Sequence, residues 1–249
     1  MKWFSIVLLA LAACQPSPPP TPAPPPVGSA RDQVSAGKAA MKSARYALEP
    51  PRNAWQARDA ESVLRMDKAI VTPELLLLQI AAMQGIAEDT AQTPEDRAAA
   101  NVVAATGEGL LIEHFTTMFW NKAEPGKRVL AYLQQAIELD PRNSDAAIAY
   151  TLALFGIRKS GFRSQAEDTM GVKTGPELAR IAPLLAQHRG DLLAQSLLRH
   201  TLDSLRQDGQ LVAGASTLSA GLDERIAKLR AGDADSAAEV DAQLREYVD

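Results

Sequence analysis

Apolar residues recur along this chain at helical spacing, and no segment shows the strict alternation of a half-buried strand. From Ala30 onward the sequence is rich in Ala, Leu, Gln, Arg and Glu and poor in aromatics and β-branched runs, a composition of helix formers. Starts are punctuated by one device. Thr72-Pro73-Glu74 and Thr93-Pro94-Glu95 each offer a capping hydroxyl, a proline at the first helical position and an acid in the first turn. Gly175-Pro176-Glu177 repeats the device with glycine at the cap, and stops fall at Pro50-Pro51, at Asp140-Pro141-Arg142-Asn143 and around Gly209. The pattern predicts helices over about 31–48, 53–69, 73–88, 94–106, 109–122, 126–139, 144–158, 176–188, 190–207, 210–230 and 234–248. Residues 159–175, with Gly161, Gly171 and Gly175, read as a loop with room for one short helix. Val240, Leu244 and Val248 give the last helix one narrow docking face. The fold class expected is all-α.

The first thirty residues follow a different logic. Lys2 supplies a positive start, Phe4 to Ala13 an apolar run, and small residues precede Cys14, the layout of a secretory signal peptide. The run is about half the ~20 residues a membrane-spanning helix needs. Gln15 to Ser29 is dominated by proline, which fixes φ and removes the N–H donor, so it reads as an extended tether of up to about 45 Å. A binding segment for a proline-recognising partner is the alternative. The expected organisation is a signal peptide over 1–13, a linker over 14–29 and one helical domain over 30–249.

Leu11-Ala12-Ala13-Cys14 resembles the lipobox of bacterial lipoproteins. The resemblance implies that Cys14 is acylated and becomes the first residue of the mature chain, anchored by more than one acyl chain. Gln15 lacks the aspartate that retains enterobacterial members at the inner membrane, so the implied location is the outer membrane facing the periplasm. Because Cys14 is the only cysteine, the exported domain has no disulfide and depends on its apolar core. The chain's 26 Lys and Arg, one of them Lys2, stand against 30 Asp and Glu. That mildly acidic balance leaves no basic face for nucleic acid and no polybasic membrane patch. Leu75 to Ala87, the most apolar later stretch, is too short to span a bilayer and reads as a buried helix.

Ala131 to Pro141 (AYLQQAIELDP), continuing RNSDAAIAYTLALFG, resembles the second helix of a tetratricopeptide repeat, its closing proline and the first helix of the next. With Pro141 at the family's proline, Ala136 takes the packed small position, Leu133 the large one, Val129 the first small one and Trp120 the aromatic one. Stepping one period back delimits a unit over 76–109, with Ile86 at the aromatic position and Gly107-Glu108-Gly109 as a junction between helices. The unit over 110–143 carries Thr116 and Thr117 where Leu-Gly is usual, and Arg163 and Met170 occupy small positions downstream. The architecture implied is an antiparallel helix-pair array, a degenerate α-solenoid.

Members of that family bind a segment of another protein in a groove lined by their first helices. The corresponding positions are Leu111, His114, Phe115, Met118, Asn121 and Lys122, then Asp145, Ile148, Leu152 and Phe155. His114 and Met118 replace the Lys and Asn that clamp a C-terminal carboxylate. Methionine and aromatics suit an adaptable groove for an apolar helix face, although Phe115, Met118 and Phe155 equally suit a core between helices. Catalytic chemistry finds little footing. His114, His188 and His200 have no metal-ligand spacing, and no nucleophile elbow, phosphate loop or dinucleotide fingerprint occurs. No catalytic residue, metal or cofactor is expected. The expected function is a membrane-anchored periplasmic scaffold binding an envelope protein in assembly, secretion or transport. The alternative is a small-ligand-binding accessory component of a solute uptake system. Resembling proteins include pilotins of pilus machines and accessory subunits of uptake systems.

Overall fold

The computed structural model describes residues 28–48, 71–115, 123–160, 162–210 and 214–248. Cys14, the signal segment 1–13, most of the proline-rich linker, the helix expected over 53–69, Trp120, and the groove candidates Met118, Asn121 and Lys122 lie outside these residues. The protein is all-α, with no strand among the described residues. In chain order the helices are α1 (Ala30–Leu48), α2 (Pro73–Glu88), α3 (Pro94–His114), α4 (Ala123–Leu139), α5 (Ser144–Lys159), α6 (Arg163–Met170), α7 (Thr174–Gln187), α8 (Leu192–Gln207), α9 (Ala215–Ser219), α10 (Leu222–Gly232) and α11 (Ala234–Tyr247). Among the described residues, no helix is long and apolar enough to cross a membrane.

Local chemistry accounts for most starts. Thr72 and Thr93 accept hydrogen bonds from the amides of Leu75 and Asp96, with Pro73 and Pro94 in the first turn, as expected. Ser29 and Asp32 cap α1 reciprocally: the Ser29 hydroxyl accepts from the Asp32 amide, and the Asp32 carboxylate accepts from the Ser29 amide. The Ser29 hydroxyl also donates to the Asp32 carboxylate at 2.7 Å, and this bond first, then the one from the Ser29 amide, holds the carboxyl below its ordinary range. Asn143, closing the Asp140–Asn143 turn, caps α5 through the Ala146 amide at 3.0 Å.

Three expected boundaries are corrected, and the open reading of 159–175 is resolved. The Gly107-Glu108-Gly109 junction does not exist, because α3 runs unbroken from Pro94 to His114. No helix break therefore separates the units expected over 76–109 and 110–143. Gly175 is not a cap: α7 starts at Thr174, and the terminal amide of Gln210 packs over Gly175, 2.5 Å from where a Cβ would stand. The helix expected over 210–230 is instead α9 and α10, each preceded by a left-handed glycine, Gly214 (φ 71°) and Gly221 (φ 63°). Within 159–175 the short helix forms as α6 and ends at left-handed Gly171 (φ 69°).

The helices pack into two apolar clusters. The first joins Val34, Met41 and Ala44 of α1 to Leu76, Ile80 and Met83 of α2. The second is built from α4, α5, α7 and α8 and is closed by Leu222 and Ile226 of α10 and Val240 and Leu244 of α11. Helix α3 belongs to both. Ala98, Val102 and Ala105, at i, i+4 and i+7, face the second cluster, while Ala100, Val103, Ala104 and Leu111 face the first. Its small residues let neighbours approach on both sides. A Cβ on Gly107 would lie 2.7 Å from Ile80 Cγ1, and one on Gly37 of α1 would lie 2.9 Å from Met83 Sδ.

Three buried or half-buried polar side chains are paired across these contacts. Glu108, 3% exposed, takes a two-pronged bond from Arg128 of α4 at 2.7 and 3.1 Å. Fully buried Gln195 donates to the Leu185 and His188 carbonyls and accepts from Arg225, tying the α7–α8 turn to α10. Tyr150 donates to Glu177 at 3.0 Å, and Arg180 lies 5.8 Å from its ring centre. Burial, and then the Glu177 carboxylate, push the Tyr150 phenol up to about 12.

Candidate functional site

A groove of about 490 Å³ runs between the C-terminal half of α3, α4, α5 and α6, within the size range of ligand-binding clefts. Three helices present it with faces of helical periodicity. From α3 come Ala105, Gly109, Ile112 and Glu113; from α4, Gly126, Val129, Leu130 and Leu133; from α5, Ala149, Leu152, Ala153, Gly156 and Ile157, followed by Ser160. Ala149 to Ser160 covers three helical turns, so the groove extends about 16 Å along α5. Ala166, Thr169 and Met170 of α6 form a fourth wall, and Arg45, Gln243 and Tyr247 stand at the rim.

The walls are apolar and low. Along α5 the residues at i, i+4, i+7 and i+11 are Ala149, Ala153, Gly156 and Ser160, all small. A Cβ built on Gly109 or Gly156 meets nothing within 4 Å, so neither glycine is required by packing inside the protein. Leu130 and Leu133 make an apolar floor continuous with the second cluster. One polar atom of the groove is unresolved by its surroundings: Ser160 Oγ is buried and has no hydrogen-bond partner among the described residues.

The residues expected to line a groove are divided by the structure. Phe155 is 5% exposed within the second cluster, whereas Phe115 packs against the first. Leu111 is buried in the first cluster, and Ile148 packs against the second. Asp145 pairs with Lys38 of α1 at 2.7 Å, and His114 Nε2 lies 3.9 Å from Glu113. Leu152 alone of the described candidates lines the groove. Four of the residues that line it directly follow expected ones: Ile112 after Leu111, Ala149 after Ile148, Ala153 after Leu152, Gly156 after Phe155. One position is a rotation of about 100° around a helix. The available signal was the row of small residues on α5, which carries less apolar surface than the two phenylalanines.

The remaining histidines lie elsewhere. His188 sits in the α7–α8 turn, with its Nε2 buried and without a partner among the described residues. His200 lines a smaller cleft of about 370 Å³ with Phe155, Arg158, Lys159 and Asp203. Asp203 is engaged by Arg206 at 3.0 Å, and Lys159 donates to the Arg245 and Glu246 carbonyls at the end of α11. Among the described residues, no three His, Cys, Asp or Glu side chains converge as metal ligands would.

Behind α6 lies an ionic clasp. Asp208, at the end of α8, accepts from Arg158 of α5 at 2.8 Å and from Arg163 of α6 at 3.0 and 3.3 Å. Arg163 also bonds Glu167 at 3.1 Å, and Glu167 accepts from both the hydroxyl and the amide of Thr174. Arg163 foremost, then Arg158, holds the Asp208 carboxyl below its usual range. Burial pushes Glu167 up, but its bonds to Thr174 and Arg163 outweigh that and leave it lowered. Comparison with protein-family models, with curated proteins and with solved structures finds no match to this chain.

Proposed function

We propose that this chain is a membrane-tethered helical scaffold of the bacterial envelope that docks the apolar face of a partner protein's helix in the α3–α4–α5 groove. The observation that carries the reading is the lining itself. Three helices offer i, i+3, i+4, i+7 faces to one apolar space about three turns long, the pattern that recognises an amphipathic helix. Small residues on α5 and Gly109 on α3 lower the walls, so an incoming helix can approach the backbone closely. The lipobox-like Cys14 and its proline tether supply the membrane attachment. The turn at Pro141, with Ala136 and Leu133 buried before it, supports a degenerate tetratricopeptide-like array as the scaffold.

The test is site-specific photo-crosslinking in intact cells. Crosslinkers at Leu152 and Ile157 are expected to capture the same partner, one at exposed Lys228 of α10 is not, and Ala153→Trp should abolish capture while helicity is retained. Equal capture from Lys228, or capture indifferent to Ala153→Trp, sinks the docking site. The second reading, a small-ligand-binding component of an uptake system, is favoured by the unpartnered Ser160 Oγ, which an apolar ligand with one hydrogen-bonding group would satisfy. A small molecule found by mass spectrometry of the purified chain, lost in Ala153→Trp and without groove crosslinks, would favour that reading.

A further inference from the structure

Helix α6 differs from the other walls of the groove in how it is held. Of its eight residues only Glu167 is buried, and that side chain is a carboxylate. The neighbouring walls α4 and α5 are instead rooted by apolar side chains such as Leu133 and Leu154. Apart from Met170, which packs against the second cluster, what fastens α6 is polar: the Arg163 fork on Asp208, the Glu167 bonds to Thr174 and the exposed Lys173–Asp168 pair. Arg163 and Asp208 are partly exposed, and ion pairs in contact with water contribute little beside apolar burial. A segment attached in this way opens locally before the rest of the molecule.

The adjoining face of α6 closes the groove. Met170 reaches across to α4, where a Cβ on Gly126 would stand 2.9 Å from its methyl and 3.1 Å from its sulfur. The thioether therefore lies on bare backbone at the Gly126 end of the α4 face. Left-handed Gly171 directly follows, and lets the chain turn sharply at that point.

We propose that α6 is a gate on the groove, latched by Arg163 and Asp208 and carrying Met170 as its bolt. This rests on the reading of the groove as a docking site. Release of the latch withdraws Met170 from Gly126, lengthens the groove and admits an occupant. The seated occupant then packs on Ala166, Thr169 and Met170 and holds α6 closed, because it favours the state it contacts best.

The experiment uses the full chain carrying Arg163→Met, which keeps the aliphatic stem and leaves Arg158 on Asp208 to tie α5 to α8. Amides of residues 163–172 are expected to exchange hydrogen about tenfold faster than in the unaltered chain, with α5, α7 and α8 unchanged. The apolar dye 1-anilinonaphthalene-8-sulfonate should enter the groove faster, and Asp208→Asn should behave alike in α6. Exchange that rises equally in α7 and α8, or does not rise in α6, overturns the gate while leaving the docking site standing. Loosened α6 with unaltered dye entry also overturns the gate. Dye binding insensitive to Ala153→Trp overturns the docking reading and removes the gate's purpose with it.

Discussion

Asp208 and Glu167 carry charges that the fold keeps in place, and this makes stability depend on pH in a defined direction. Both carboxyls are lowered in the folded protein, while in the unfolded chain they titrate near about 3.9 and 4.3. Their contribution is therefore fully present above those unfolded values and is lost as the pH falls through the folded ones. Urea unfolding followed from pH 7 downward should weaken below about pH 5. Asp208→Asn should cost about 1–2 kcal/mol at pH 7, discounted for partial exposure, and progressively less toward pH 2. A difference that stays constant with pH would show that the carboxylate's charge is not what matters. None of this is legible from residue types, since Arg158, Arg163 and Asp208 are separated by up to 50 positions. Conspicuous residues misdirect for a related reason. Phe115 and Phe155 are apolar enough for either a groove or a core, and burial places both against cores. Ser160 and Gly156, unremarkable in the sequence, face the groove.

At the scale of elements, α3 separates two meanings of glycine only two positions apart. Gly107 faces Ile80 at a distance no Cβ can share, whereas Gly109 faces open space. Gly107→Ala should destabilise by about 1–3 kcal/mol through overpacking. Gly109→Ala should stabilise by up to about 1 kcal/mol, because alanine is the better helix former. Thermal unfolding of the two variants checks the pair; equal effects would mean that the α2–α3 crossing adapts. The sequence motif Gly-Glu-Gly reads as a break because each glycine weakens a helix. The break is overridden by packing: α3 is buried on both sides, and Glu108 is paired with Arg128. Capping, by contrast, is local chemistry, which is why Thr72-Pro73 and Thr93-Pro94 mark true starts. Left-handed glycines at 214 and 221 divide α9 from α10 for reasons of backbone direction that composition does not record.

For the whole molecule, the proposed anchor and the helical body are separable. Cys14→Ala should move the protein into the soluble envelope fraction with its melting temperature unchanged, as judged by cell fractionation and circular dichroism; persistent membrane retention counts against the lipid anchor. The all-α class was determined by the sequence alone, because helix formers, 3.6-residue periodicity and caps act within a few residues of one another. The same local physics located α1, α2, α5 and α8 closely. Which face of each helix meets which neighbour was decided only in the tertiary structure. Helix α3 serves two clusters at once, so its apolar residues surround it and leave no single face to read. Ile112 and Gly156 line the groove one position, about 100° of helix rotation, beyond the expected Leu111 and Phe155. Which face is left open depends on how α3, α4 and α5 pack on one another and on the two clusters, a sum of contacts between distant segments. No window of the sequence contains it.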